Sequence, residues 1–124
     1  MSTILYIEDE QILRDDIAEL LLEEGHNILL ANNGRAGIEM ALIHEPDLIL
    51  CDIFMPKMSG WEVLAELKSK CPANSMPPFL YLTALFDEQE RTKGFEAGAV
   101  DYLVKPIDWD VLISKIQKYL NQSE

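Results

Sequence analysis

Covalent and metal staples are almost missing from this sequence. It has two cysteines, Cys51 and Cys71, with no Cys-x-x-Cys pair and no Cys/His ligand spacing around them. A disulfide framework is thereby excluded, and both thiols are expected to be reduced. Positive charge is scarce too: 10 Lys and Arg stand against 22 Asp and Glu, a formal charge of −12 over 124 residues. That is the wrong sign for gripping nucleic-acid phosphates or an anionic membrane, so direct nucleic-acid binding is not expected. No apolar run is long enough to span a bilayer, and no cationic stretch precedes the apolar Ile4 to Ile7 as a secretory signal requires. The expected compartment is the cytoplasm. Repeats, linkers and low-complexity tracts are also absent, while the 48% apolar fraction is too high for a disordered acidic tail. One folded domain spanning 1–124 is the expectation, with no output domain in the chain.

What is present is an alternation of short apolar runs with amphipathic ones. Candidate strands are Ile4 to Ile7, Asn27 to Ala31, Leu48 to Cys51, Phe79 to Leu82 and Val100 to Val104. Most are nearly continuous apolar runs, as expected of a parallel sheet covered on both faces. Between them, Leu13, Ile17, Leu20 and Leu21 recur at helical spacing within Ile12 to Glu24, and Gly25 supplies a stop. Further helices are predicted over Ala36 to Ile43, Trp61 to Lys70, Asp87 to Ala97 and Asp110 to Leu120. Five strand-then-helix units predict an α/β, flavodoxin-like (βα)5 doubly wound sandwich, with a parallel sheet in the order 2-1-3-4-5.

In such a sheet ligands bind outside the carboxyl ends of the strands, near the switch point between strands one and three. There the sequence places Glu8, Asp9 and Glu10 after the first strand, Asp52 after the third, Thr83 after the fourth, and Lys105-Pro106 after the fifth. Singly, each has an ordinary explanation. Asp9 could cap the next helix, Asp52 could initiate a turn, Thr83 could be a strand-end hydroxyl, and Lys105 could be a solvated lysine. Together they call for more. Glu8, Asp9 and Asp52, once brought close, would repel by several kcal/mol per pair, and a hard divalent cation such as Mg²⁺ answers that repulsion with room left for a phosphate oxygen. Asp52 can then act as a nucleophile toward a phosphoryl group, with Lys105 and Thr83 holding the added oxygens.

Four stretches carry a family resemblance: Ile4-Leu5-Tyr6-Ile7-Glu8-Asp9-Glu10, Cys51 through Gly60, Leu82-Thr83-Ala84, and Gly94 through Pro106. In this order and at these spacings the chain resembles the receiver domains of two-component response regulators over nearly its whole length. The resemblance implies that Asp52 is the phosphoacceptor, and that Glu8, Asp9, Asp52 and the backbone carbonyl of Phe54 bind Mg²⁺. It also implies that Thr83 and Lys105 contact the phosphoryl group, that Lys105-Pro106 is cis, and that Tyr102 is the switch aromatic. The implied protein is not an enzyme on other substrates but a switch that assists its own phosphorylation and dephosphorylation. Its implied donor is a histidine kinase or phosphotransfer domain. Its implied target, reached through the face of the fourth helix, fifth strand and fifth helix, is a downstream protein or an output domain; a homodimer on phosphorylation is left open.

Phe54 and Leu85, two residues beyond Asp52 and Thr83, are apolar; in receivers these positions flank the route of water to the acyl phosphate, and since neither side chain can orient an attacking water the resemblance implies slow self-hydrolysis. His26 and His44 are expected at the surface, and Trp61, Trp109 and Tyr119 in packing. Three competing functions fit the sequence less well. A haloacid-dehalogenase-like phosphatase needs its nucleophile after the first strand and a second Asp two residues on. A flavodoxin-like flavin carrier needs a hydroxyl-rich first loop where this chain has acids. A phosphorylation-independent scaffold is opposed by the complete set of pocket residues.

Overall fold

A computed structural model describes residues 2–72, 74–84 and 88–122. Five strands alternate with five helices: β1 (Thr3–Ile7), α1 (Gln11–Glu23), β2 (Asn27–Ala31), α2 (Gly34–His44), β3 (Leu48–Asp52), α3 (Gly60–Lys70), β4 (Phe79–Thr83), α4 (Glu88–Ala97), β5 (Asp101–Val104) and α5 (Trp109–Gln122). The strands form one parallel sheet in the order β2-β1-β3-β4-β5, as the alternation predicts. The predicted start of the fourth helix at Asp87, and Leu85, lie outside the described residues.

The period of two along each strand divides the core. Ile4 and Tyr6, Leu48 and Leu50, Leu80 and Leu82, and Leu103 pack toward Ile17 and Leu21 of α1 and Leu112 and Ile116 of α5. Leu5 and Ile7, Ile49 and Cys51, and Phe79 and Tyr81 pack toward Ile38 of α2 and Val63 and Leu67 of α3. β1, β3 and β4 are buried almost throughout because both faces are covered, whereas β2, an edge strand, keeps Asn27 and Leu30 exposed.

Element ends differ from the sequence reading where side chains decide them. α2 starts at Gly34 because the Asn33 side chain accepts a hydrogen bond from Ala36 N–H at 2.8 Å. α3 carries a capping box: Ser59 Oγ accepts from Glu62 N–H at 3.3 Å, and Glu62 Oε1 accepts from Ser59 N–H at 3.4 Å. α5 opens one residue early, at Trp109, because Asp108 accepts from the N–H groups of Asp110 and Val111. The ordinary explanation for Asp9 does not hold: the capping position of α1 is Glu10, with no side-chain cap bond. Trp109 is 41% exposed rather than packed, and Tyr119 is buried. No helix among the described residues is long and apolar enough to cross a membrane.

Candidate functional site

Because β1 and β3 are neighbours while the chain leaves them in opposite directions along the sheet, a crevice opens at their carboxyl ends. Continuing the strand alternation, Glu8 follows Tyr6, Asp52 follows Leu50 and Lys105 follows Leu103, so all three extend rows that face α1 and α5. Their polar ends meet. Lys105 Nζ lies 3.2 Å from Asp52 Oδ2 and 3.2 Å from Glu8 Oε1. One carboxylate oxygen from each of Glu8, Asp9 and Asp52 lies within 4.8 Å of the other two. Glu8 is completely buried, the Asp52 side chain is 6% exposed, and Asp9 stands in the open. The recess therefore reaches solvent through Asp9 and a narrow opening at Asp52.

Three acids against one ammonium leave an excess of negative charge in a poorly hydrated place. Burial first, then the charge of Asp52, lift the Glu8 carboxyl from its ordinary 4.5 to about 7. Burial alone would lower the Lys105 ammonium, but Asp52 and Glu8 outweigh it and the net shift is upward. A divalent cation fits this donor set, since carboxylate oxygens are its preferred ligands and the residual charge is of the right sign and size.

Thr83 closes β4, is 2% exposed, and accepts the Lys105 N–H at its carbonyl oxygen, 2.8 Å away. The Lys105-Pro106 peptide is cis, as expected. Phe54 is half exposed on the loop after Asp52. Tyr102 is half-buried on β5, with its ring centroid 5.7 Å from that of Tyr81 and its carbonyl accepting from Lys115 Nζ at 2.6 Å.

Two contributors were not singled out from the sequence. Tyr6 Oη donates to Glu8 Oε1 at 3.0 Å; the available signal was that residues two apart on a strand share a face. Gly60 lets α3 start against the acidic loop: a Cβ there would lie 2.5 Å from the Asp52 carbonyl oxygen and 2.9 Å from Ile53 Cα. Its N–H donates to Ile53 O at 2.8 Å.

Comparison with known proteins agrees with this arrangement. The family model for the response regulator receiver domain matches residues 4–117. The transcriptional regulatory protein PcoR of Escherichia coli is 36% identical over 123 residues, covering 99% of this chain and 53% of that protein. For CusR of Escherichia coli strain K12, also a transcriptional regulatory protein, identity is 38% over 119 residues, covering 96% and 51%. The chain thus spans about half the length of these curated relatives. Among solved structures, the Vibrio cholerae chemotaxis protein CheY4 superposes with a TM-score of 0.89 at 26% identity, over 96% of this chain and 98% of that one. A match that runs from the first strand into the last helix, on a sheet of the same order, is decisive: the chain belongs to the response regulator receiver domains of two-component systems.

Proposed function

We propose that this chain is a phosphorylation-activated switch in which Asp52 accepts a phosphoryl group from the phosphohistidine of a histidine kinase or phosphotransfer domain. The observation that carries the reading is the bridge of Lys105 Nζ, 3.2 Å from both Asp52 Oδ2 and Glu8 Oε1, beside a third carboxylate from Asp9. An Asp52 oxygen attacks phosphorus; the O–P bond forms, the P–N bond breaks, and the departing electron pair returns to the donor imidazole. Asp9, Asp52, Glu8 and the Phe54 carbonyl are the groups that would hold Mg²⁺. When bound, the cation supplies charge neutralisation between the attacking carboxylate and the phosphoryl oxygens.

Lys105 holds Asp52 in place and, as charge moves from the carboxylate onto the phosphoryl oxygens, offers its ammonium to them. The Thr83 side chain, at the end of the adjacent strand, is the group to contact a second phosphoryl oxygen. Phosphorylation adds about −1.5 to −2 charges and three acceptor oxygens to a nearly closed recess, enough to bias an equilibrium of a few kcal/mol. The switch runs through Thr83 and Tyr102 to the surface of α4, β5 and α5, which would control a downstream protein or an output domain. Action in the cytoplasm, where kinase domains of this class act, belongs to the same proposal.

The test is incubation with Mg²⁺ and acetyl phosphate followed by intact mass measurement. Wild type should gain the mass of one phosphoryl group, lose it on mild alkaline hydrolysis, and gain none without Mg²⁺. Asp52→Asn should gain none. Equal labelling of the two proteins would refute the assignment of Asp52.

A further inference from the structure

The hydrogen bonding of Glu8 assigns a task to a core residue that phosphoryl chemistry does not otherwise use. The Glu8 carboxylate is completely buried and held at three points. Oε1 receives Tyr6 Oη at 3.0 Å and Lys105 Nζ at 3.2 Å, and Oε2 receives the Glu10 N–H at 3.3 Å. Tyr6 itself is fully buried, in the same core cluster as Ile4, Ile17, Leu50 and Leu82. Rings so enclosed have one low-energy orientation, so the hydroxyl is a fixed point in space. No buried side-chain polar atom among the described residues lacks a hydrogen-bond partner. The Tyr6 hydroxyl is therefore spent on Glu8, and Glu8 in turn is one of the two anchors of the Lys105 ammonium.

Resting on the reading of Asp52 as phosphoacceptor, we propose that Tyr6 is a positioning residue for phosphoryl transfer: through Glu8 it fixes where the Lys105 ammonium sits. The physical reason lies in how the two anchors change during reaction. Asp52 loses carboxylate charge as its oxygen becomes bonded to phosphorus, so its hold on Lys105 weakens at the moment the ammonium is needed. Glu8 does not change, and it can keep Lys105 in place only if its own carboxylate cannot swing. Tyr6 opposes that swing by donating to the same oxygen, Oε1, that receives Lys105. A lysine has a long, flexible stem, and displacement of a catalytic charge by about 1 Å is costly in rate.

The experiment is a double-mutant cycle on the full chain between Tyr6→Phe and Glu8→Asp. Shortening Glu8 by one methylene withdraws its carboxylate by about 1.5 Å, beyond hydrogen-bond reach of the Tyr6 hydroxyl. Phosphorylation by acetyl phosphate is followed at saturating Mg²⁺ and donor. Tyr6→Phe should slow it about five- to tenfold in the wild-type background and by less than about twofold in the Glu8→Asp background. Equal slowing in both backgrounds would mean that Tyr6 only supports the core, and no slowing in the wild-type background would mean that it does nothing for transfer; either result overturns the proposal. A second readout needs neither metal nor turnover: the side-chain ammonium resonance of Lys105 in ¹⁵N-lysine-labelled, metal-free protein. It should be observable in wild type and broadened or shifted in Tyr6→Phe, and an unchanged resonance would also overturn the proposal. If wild type takes up no phosphate, the assignment of Asp52 fails instead, and the ammonium resonance still decides the Tyr6–Glu8–Lys105 relay.

Discussion

The buried Glu8 carboxyl makes the stability of the metal-free protein depend on pH with a sign opposite to that of an ordinary ion-paired acid. Its folded-state value is lifted from 4.5 to about 7, chiefly by burial and next by Asp52. Between those two values the unfolded chain has released the Glu8 proton while the folded chain still holds it. Stability from this group is fully present below the unfolded value and is lost as pH rises through the folded one. At about 1.4 kcal/mol per pH unit the whole gap is worth roughly 3 kcal/mol, of which about 2 to 3 kcal/mol falls between about pH 5 and pH 8. For a chain of this size that is a fall in melting temperature on the order of 10 °C. Urea or thermal melts in EDTA at several pH values, for wild type and Glu8→Gln, measure it. The amide keeps an oxygen for Tyr6 and Lys105 but does not titrate. General repulsion from the −12 net charge acts on both proteins, so the difference between their profiles isolates Glu8. The depressed Asp101 carboxyl, where hydrogen bonds from the Tyr102 N–H, Lys115 and Tyr119 overcome burial, contributes stability that is lost only as pH falls below the usual carboxylate range. It does not enter the window. Parallel profiles for the two proteins, or a wild type that gains stability relative to Glu8→Gln between pH 5 and pH 8, would refute the reasoning.

Three other outcomes are expected. Gly60→Ala drives a Cβ to 2.5 Å from the Asp52 carbonyl oxygen, so α3 or the acidic loop must shift. A loss of about 1 to 3 kcal/mol in urea melts is expected, with slower phosphorylation, and an unchanged melt would contradict the close approach. The Tyr119 phenol, raised to about 12 by burial and by the Asp101 carboxylate that accepts its proton at 2.8 Å, should titrate nearer its ordinary value in Asp101→Asn; ultraviolet absorbance against pH reads this directly. Phe54→Asn places an amide at a half-exposed position two residues beyond Asp52, and it should shorten the life of the phosphorylated form by supplying a group that can orient water; an unchanged half-life would dismiss the steric and apolar role of Phe54.

How much could be read without coordinates varied with the kind of interaction involved. The strand runs around Leu5, Leu50 and Leu80 were legible because burial on both faces leaves a nearly unbroken apolar signature. Helix starts were less so: Asn33 and Asp108 decide them through single side-chain hydrogen bonds, which periodicity does not register. The acids and the lysine of the recess were legible as residue types at strand ends.

Chain order and residue type by themselves determined that this protein is a (βα)5 sheet, that acids follow the first and third strands, and that a lysine and a threonine stand at the ends of the fifth and fourth. Those are local properties, written as alternation, spacing and charge. Only the tertiary structure decided that Lys105 bridges Glu8 and Asp52 rather than pointing to water, that Asp9 faces solvent while Glu8 is sealed, and that the Tyr6 hydroxyl supports the recess from within the core. The physical reason is that desolvation and Coulomb energy depend on distances between residues up to 97 positions apart in the chain (Glu8 to Lys105). Packing sets such distances, and no local pattern encodes them.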